Sequence, residues 1–296
     1  MAEVEIIKRL QLIRTEILDK IIGGITHIGD EMFFIIVAVI VFWCVDKRFG
    51  YRLINVYLLG CVAIEGTKAL VARPRPYTYE GVVSVGEKTS GFSFPSGHSH
   101  SIANLSTQFS IKYKKAFVIA IGAVLSLLVA FSRLYLGQHF LSDVIVGLSM
   151  GIGFAFLLNL AFSTLGNREE YAVLVILPVC AIVLLVLVLL GKADGASGAL
   201  KVLGGYSAVS LGYFIEKRYI CFETKGKWYI QIVKAIFGLI VTLAVKEGLK
   251  LVIPETQPVL YGFIRYFAVG ITASVIVPLL FRLTRLSKST KEKTTD

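Results

Sequence analysis

Residues 116–130 read AFVIAIGAVLSLLVA, a run without a charge, and the segment just beyond it, 132–143, reads SRLYLGQHFLSD. The first stretch decides the fold. A helix of that composition offers no polar face to water, so it is either enclosed by protein or surrounded by lipid. Similar runs recur at Phe33–Val45, Val144–Leu160 and Ala172–Leu190, and several approach the roughly 20 residues that cross a hydrocarbon core. The whole chain agrees: of 296 residues, 55% are hydrophobic and only 17% charged, with a mean hydropathy of +0.74. Soluble proteins are about 45–50% apolar and about 25% charged. The expected fold class is therefore all-α, a polytopic transmembrane helical bundle.

About nine spans are expected, near 29–46, 51–72, 97–112, 115–136, 139–164, 171–191, 200–216, 229–252 and 259–281. The third is polar, with Ser99, His100, Ser101, Asn104, Ser106, Thr107 and Gln108. Such a helix persists only where other helices enclose it or where it lines a wet cavity. The first residues are charged and lack the continuous apolar stretch of a cleavable signal peptide. Instead Ile6, Leu10, Ile13, Ile17 and Ile21 recur at helical spacing among Lys8, Arg9, Arg14, Glu16 and Asp19. That pattern suits an amphipathic helix lying in the membrane interface, and equally one packed on its own protein. Residues 192–200, rich in glycine and alanine, read as a flexible link. The expected division is thus an interfacial helix at 1–28, a membrane core at 29–191, and further transmembrane helices with a basic tail at 192–296.

The net charge of +11 raises nucleic acid as a partner, but the basic residues sit in short loops between apolar runs. Loops 46–52, 112–115, 165–170, 217–228 and the tail after Phe281 hold most of them, and with about nine spans all fall on one side. The positive-inside rule makes that side cytoplasmic, with the N-terminus and residues 73–96 outside. Membrane, not nucleic acid, is the expected partner, and no oligomeric state is read from the pattern. Cys44, Cys61, Cys180 and Cys221 are dispersed without metal or redox spacing and read as small buried hydrophobes.

Three segments expected on the outer side hold nearly all the chemically able groups: Lys68 to Pro76 (KALVARPRP), Pro95-Ser96-Gly97-His98, and Ser132 to Asp143. Lys68, Arg75 and Arg133 are fixed cations with few carboxylates nearby, so an anion is their natural partner. The planar arginine fork matches phosphate oxygens in pairs, while lysine acts as a point charge. Ser96 and Gly97 stand where a helix begins, and its free N–H groups make an anion seat. Together these groups would stabilise the transition state of a phosphoryl transfer. His139 and Asp143, four apart, are expected on one helix face. A carboxylate on one ring nitrogen would leave the other free to attack, making His139 the candidate nucleophile and Asp143 its orienter. His98, beside the anion seat, is the candidate acid for the departing alkoxide and base for the hydrolytic water. No metal or other cofactor is required, because the cations and helix end supply the positive charge.

The pattern K-x6-RP, PSGH, SR-x5-H-x3-D resembles the signature of the type 2 phosphatidic acid phosphatase family, which shares its fold with vanadium haloperoxidases. Lys68, Arg75 and Pro76, then Pro95 to His98, then Ser132, Arg133, His139 and Asp143 match it in order. The resemblance covers roughly residues 50–165 and implies a six-helix phosphatase core, a phosphohistidine at His139, and a lipid phosphate or pyrophosphate substrate in the bilayer, handled without metal. Polyprenyl pyrophosphate, phosphatidic acid, phosphatidylglycerol phosphate and sphingoid-base phosphates are the candidate lipids, and the compact chain with short loops favours the first three. The doubled Arg-Pro departs from the pattern, since Arg73 could compete with or assist Arg75. The last three helices lie outside the resemblance.

Taken singly, each residue has a plainer explanation. Cations near span ends snorkel, Pro-Ser-Gly starts helices, and a His–Asp pair at that spacing is often structural. Their coincidence favours catalysis. His100 points away from His98 and is expected to pack; Glu65 is expected to pair with Lys68. Lys246, Glu247, Lys250 and Arg265 read either as mutual ion pairs or as a headgroup site. Residues 77–94 read as a lid or as a passive loop. Beside a hydrolase, the same residues would serve a lipid phosphotransferase or a non-catalytic lipid-phosphate transporter.

Overall fold

Helices make up most of the residues that the chain's computed structural model describes, 2–190, 193–252 and 258–290. In order these are α1 (Ala2–Gln11), α2 (Glu16–Thr26), a 3₁₀ turn (His27–Gly29), α3 (Glu31–Cys44), α4 (Lys47–Val71), α5 (Gly97–Tyr113), α6 (Ala116–Tyr135), α7 (Leu141–Thr164), α8 (Val173–Leu189), α9 (Ala193–Ile215), α10 (Trp228–Val252), α11 (Pro258–Ile271) and α12 (Val277–Leu283). A π-helical turn, Thr272–Ile276, joins the last two.

Among the described residues, 5 helical stretches are long and apolar enough to cross a membrane: Lys47–Thr78, Ala116–Tyr135, Leu141–Thr164, Trp228–Val252 and Tyr261–Leu283. Glu16–Gly29 and Glu31–Cys44, bent by 49° at their junction, add a sixth if taken together. Helix α5, over the polar third span of the sequence reading, has 17 residues and is not in this set. Its Ser99, His100, Ser101, Asn104 and Gln108 are all buried, as a polar membrane helix requires. The glycine-rich stretch expected to be a flexible link is instead helical from Ala193 onward; Gly191 and Lys192 lie outside the described residues. Ala193, Ala196 and Ala199 favour helix and offset Gly195 and Gly198.

Contacts divide the chain into two compact units, Met1–Phe34 with Ala63–Leu160, and Ile35–Val62 with Ala161–Asp296. In the first, α5 and α6 form a hairpin, and α7 packs on α5. Gly147 and Gly151 permit that packing: a Cβ at either would strike the Ser96 or His100 carbonyl oxygen. The single amphipathic helix expected near the N-terminus is two, because Thr15 caps a new start by accepting from the Leu18 amide at 3.2 Å. Their inner face packs on the protein, Val4 and Ile7 with Val82 and Phe140, and Ile22 with Tyr135 and Leu136. Of the predicted stripe, Ile6, Ile13, Ile17 and Ile21 stay exposed, while Leu10 is partly buried against Ala130, Leu134 and Val144.

In the second unit, basic loops close on buried acids. Glu169 accepts from Arg48 Nε at 2.6 Å and Arg52 Nε at 2.9 Å, Glu216 from Lys47 at 2.7 Å, and Glu170 from Lys217 at 2.9 Å. Arg282 donates to the Ile220 carbonyl at 2.9 Å. Segments 46–52, 166–170, 216–223 and 282–290 thereby meet at one end. Further along α10, Glu247 pairs with Lys250 at 2.6 Å and Lys246 at 3.9 Å, the ion pairing that the sequence offered as one alternative. Arg265 lies over the Tyr261 ring, 5.9 Å from its centre.

Candidate active site

All eight candidate residues lie in the first unit, and three backbone features bring them together. Helix α4 ends at Val71 because Ala72, at φ 50, and then two prolines stop it. Helix α5 opens at Gly97, with Ser96 as N-cap accepting from the Ser99 amide at 3.4 Å. The turn after α6 folds back so that the His139 amide donates to the Arg133 carbonyl at 3.2 Å. The Ser96 amide in turn donates to the Asp143 carbonyl at 3.0 Å. Lys68 reaches the same place, its Nζ 3.9 Å from where a Cβ on Gly97 would stand. It pairs with Glu65 at 2.8 Å, as expected.

Arg75 is buried and fully engaged. It donates to the carbonyls of Gly91 at 2.9 Å, Ser90 at 2.9 Å and Gln138 at 3.1 Å, and its Nη1 lies 3.3 Å from His139 Nε2. Residues 77–94 are therefore tied down through Arg75, and again where Gln11 of α1 exchanges hydrogen bonds with Val83 at 2.7 and 3.0 Å. Arg133 donates to Thr26 Oγ1 at 2.8 Å. Its buried Nε has no partner among the described residues. An unmatched buried guanidinium N–H is costly unless an acceptor arrives.

The expectation that His139 and Asp143 share one helix is corrected, while their side chains do pair. Helix α7 starts at Leu141, so His139 precedes it, yet the two side chains still come within ion-pair distance. His139 Nδ1 lies 2.7 Å from the Ser93 carbonyl oxygen and 3.6 Å from Asp143 Oδ2. Asp143 has nearer partners as well. It accepts from the Phe140 amide at 2.8 Å, from Arg73 Nη1 at 2.8 Å, and from the Ser93 hydroxyl. An acid in the first helical turn reaching back to the N-cap amide is favourable there, where the helix end is positive.

Arg73 thus neither competes with nor assists Arg75 at the anion. It lies over the Phe140 ring at 3.9 Å and bridges Asp143 to Glu3 of α1, 2.7 Å away. Glu3 also accepts from the Ser142 amide at 2.7 Å, so α1 straps the start of α7. His98 Nε2 lies 2.6 Å from Asp30 Oδ1, a pairing that nothing in the local sequence announced. Ser93, Glu3 and Asp30 were all missed. Each meets its partner across dozens of residues of sequence, and only the doubled Arg-Pro hinted at a second arginine with its own task. His100, as expected, packs, edge-on to Phe154 with ring centres 6.5 Å apart.

A cavity of about 740 Å³ opens beside these groups, lined by His27, Asp30, Ser90, His98, Arg133 and Gln138 among others. Its volume far exceeds a phosphate ion, and the wall it shares with α2 lies outside the sequence pattern that revealed the site.

The profile of the PAP2 superfamily matches residues 49–168, and that of the PAP2 superfamily phosphatase transmembrane extension matches residues 200–289. Phosphatidylglycerophosphatase B of Bacillus subtilis is 33% identical over 53% of this chain and 82% of its own. Undecaprenyl-diphosphatase of Sulfolobus acidocaldarius is 26% identical over 52% of this chain and 75% of its own. Sphingosine-1-phosphate phosphatase 2 of Mus musculus is 22% identical over 86% of this chain and 84% of its own. The chain is a multi-pass integral membrane protein, and it belongs to the PAP2 superfamily of phosphatases.

Proposed function

We propose that this protein is a metal-independent lipid phosphatase that works through a phosphohistidine on His139. The observation that carries the reading is the pair of neighbours on the two nitrogens of His139. A carbonyl only accepts, so Ser93 requires the proton on Nδ1. Arg75 only donates, so Nε2 must carry the lone pair. The ring is held in the tautomer a nucleophile needs. Lys68, Arg133 and the N–H groups at the start of α5 grip the phosphoryl oxygens, and Arg75 shifts from the ring to the same anion. Attack by Nε2 forms the N–P bond as the ester P–O bond breaks, and His98 protonates the leaving oxygen. Water, deprotonated by His98, then releases inorganic phosphate and restores His139.

The substrate class follows from the setting. An apolar tail stays in the bilayer while its phosphate enters the polar cavity. Phosphatidylglycerol phosphate, phosphatidic acid and polyprenyl pyrophosphate are the leading candidates, the first and third supported by the names of two of the relatives. The proposed topology has about nine spans, with the N-terminus and site on the extracytoplasmic face of the plasma membrane, residues 29–191 as catalytic core and 192–296 as extension. The meeting of four basic segments in the second unit supports a common cytoplasmic side for them. The outward stripe of α1 and α2 supports an interfacial seat for residues 1–28.

The test is phosphate release from a panel of these lipids by purified protein in EDTA. Release that is lost in His139→Ala, with an acid-labile phosphoenzyme trapped in the wild type, is the expected result. Release that requires added metal, or that survives His139→Ala, overturns the reading.

A further inference from the structure

Asp30 lies outside the matched family segment, yet its carboxylate sits between two imidazoles. Its Oδ1 is 2.6 Å from His98 Nε2 and its Oδ2 is 2.6 Å from His27 Nδ1. All three side chains line the cavity next to Arg133. The backbone enforces the contact. The turn that carries His27 and Asp30 is pressed onto the start of α5 at Gly29, where a Cβ would come within 3.0 Å of His98 Cβ, 3.1 Å of its carbonyl oxygen and 2.7 Å of Val129 Cγ1.

We infer that Asp30, braced by His27, is the positioning residue for His98, and that the pair completes the proton-transfer half of the site. The inference rests on the phosphatase reading above. An ionised carboxylate only accepts, so His98 Nε2 must hold a proton and donate it to Asp30. That leaves Nδ1 as the nitrogen that exchanges protons with substrate. In the first half-reaction, Nδ1 of the imidazolium passes its proton to the leaving oxygen as the P–O bond breaks and the bond to His139 forms. In the second, Nδ1 takes a proton from water as the water oxygen bonds to phosphorus and the N–P bond breaks. Nε2–H stays on Asp30 throughout, and the carboxylate offsets the imidazolium charge in a site already crowded with cations. The other charged groups within electrostatic reach of His98 are Arg133 and Lys68, both of which oppose that imidazolium. Asp30 is the group that favours it.

This arrangement makes a distinctive kinetic prediction, because acid assistance matters for a poor leaving group and hardly at all for a good one. Purified full-length protein is assayed on two esters, an alkyl lipid phosphate and an aryl phosphate with an acidic phenol. For Asp30→Asn, kcat/KM, which reports the first half-reaction alone, should fall by about 10- to 100-fold on the alkyl ester, while on the aryl ester it falls less than about threefold. His27→Ala should show the same selectivity in weaker form. The alkaline limb of the kcat/KM profile, where His98 loses the proton it donates, should move in Asp30→Asn on the alkyl ester alone. Equal losses on both esters would reduce Asp30 to a structural role and overturn the inference. Unchanged kinetics would do the same. Should Asp30→Asn not fold, His27→Ala and the wild-type contrast between esters decide alone. A wild-type protein inactive on both esters would overturn the phosphatase reading itself, a result separable from failure of the Asp30 variants.

Discussion

The imidazole of His139 is anchored by the main chain of Ser93: Nδ1 and the carbonyl oxygen are 2.7 Å apart, while the nearest Asp143 oxygen is 3.6 Å away. Asp143 acts one step further back. It takes the Ser93 hydroxyl, the Phe140 amide and Arg73, and so fixes both segments that meet at the ring. A backbone acceptor cannot be titrated or removed by substitution. The tautomer of His139 therefore has a support in Ser93 that does not depend on Asp143.

Asp143→Asn should consequently be a milder lesion than His139→Ala. Turnover is expected to fall by about 10- to 100-fold, against complete loss for the nucleophile, with KM changed by less than about twofold. Stability should suffer more visibly. Arg73 loses its buried partner, and breaking one side of such a pair costs about 3–5 kcal/mol, here toward the lower end because Glu3 still holds the guanidinium. Arg73→Met should then cost less stability in the Asp143→Asn background than in the wild type, because their shared contact is already gone while the loss of Glu3 as partner is common to both. Equal costs in the two backgrounds would show that Arg73 does not act through Asp143.

Arg133 and Arg75 should separate in the same way. Arg133 Nε is buried without a partner among the described residues, so an anion is what completes it. Vanadate, which takes the five-coordinate geometry of the transition state, should inhibit well below the substrate KM. Arg133→Ala should weaken that inhibition by at least about tenfold, and Arg133→Lys should not rescue it, because lysine lacks the fork. Arg75 spends its hydrogen bonds on the carbonyls of Ser90, Gly91 and Gln138. Arg75→Ala should therefore also lower the melting temperature and loosen residues 77–94. Inhibition constants and melting curves on the two variants check both halves.

Much of this site was legible because its chemistry is written in short motifs with fixed spacing. Lys68, Arg75, Ser96, Gly97, His98, Arg133 and His139 announce themselves as cations, a helix start and imidazoles without nearby carboxylates. The buried polar face of α5 was legible for a similar reason, since Asn104 and Gln108 in a membrane helix have few places to go. What escaped was set by long-range packing. The start of α7 is fixed by Glu3 and Asp143, which accept from the Ser142 and Phe140 amides, and Glu3 arrives from 139 positions away. Asp30 looked like a residue at the edge of a span, and its meeting with His98 depends on Gly29, whose importance shows only when α5 is pressed against it. In residues 192–200 glycine content outweighed alanine in the reading, and the helix went unseen.

The α1 strap has its own pH signature. Burial raises the proton affinity of the Glu3 carboxyl, but the hydrogen bonds from Arg73 and Ser142 outweigh it and hold the group below the usual glutamate value. A carboxyl depressed on folding contributes stability above its ordinary value near 4.3 and loses it as pH falls through the lower, folded one. Hydrogen exchange of the α1 amides, corrected for intrinsic rates, should therefore stay slow from neutral pH down to about 5 and accelerate only in stronger acid. Glu3→Gln should accelerate it at every pH. Acceleration already present near pH 6, or none on substitution, would show that something other than Glu3 holds the strap.

The last prediction concerns the outward face of the same segment. Ile13, Ile17 and Ile21 are 57%, 73% and 53% exposed, while Ile7 and Ile22, on the opposite side, are buried. A monomer in water rarely leaves such a stripe uncovered. Lodged at the boundary between headgroups and acyl chains, it would hold the strap, and through Glu3 the start of α7, at a fixed depth relative to the lipid phosphate. Ile13→Asp with Ile17→Asp should then lower turnover of a long-chain lipid phosphate in vesicles several-fold, yet leave turnover of a short-chain ester in detergent micelles intact, since no buried contact changes. Equal activity of variant and wild type in vesicles would remove the membrane from the role of α1 and α2, and equal losses in vesicles and micelles would assign the two isoleucines to the fold.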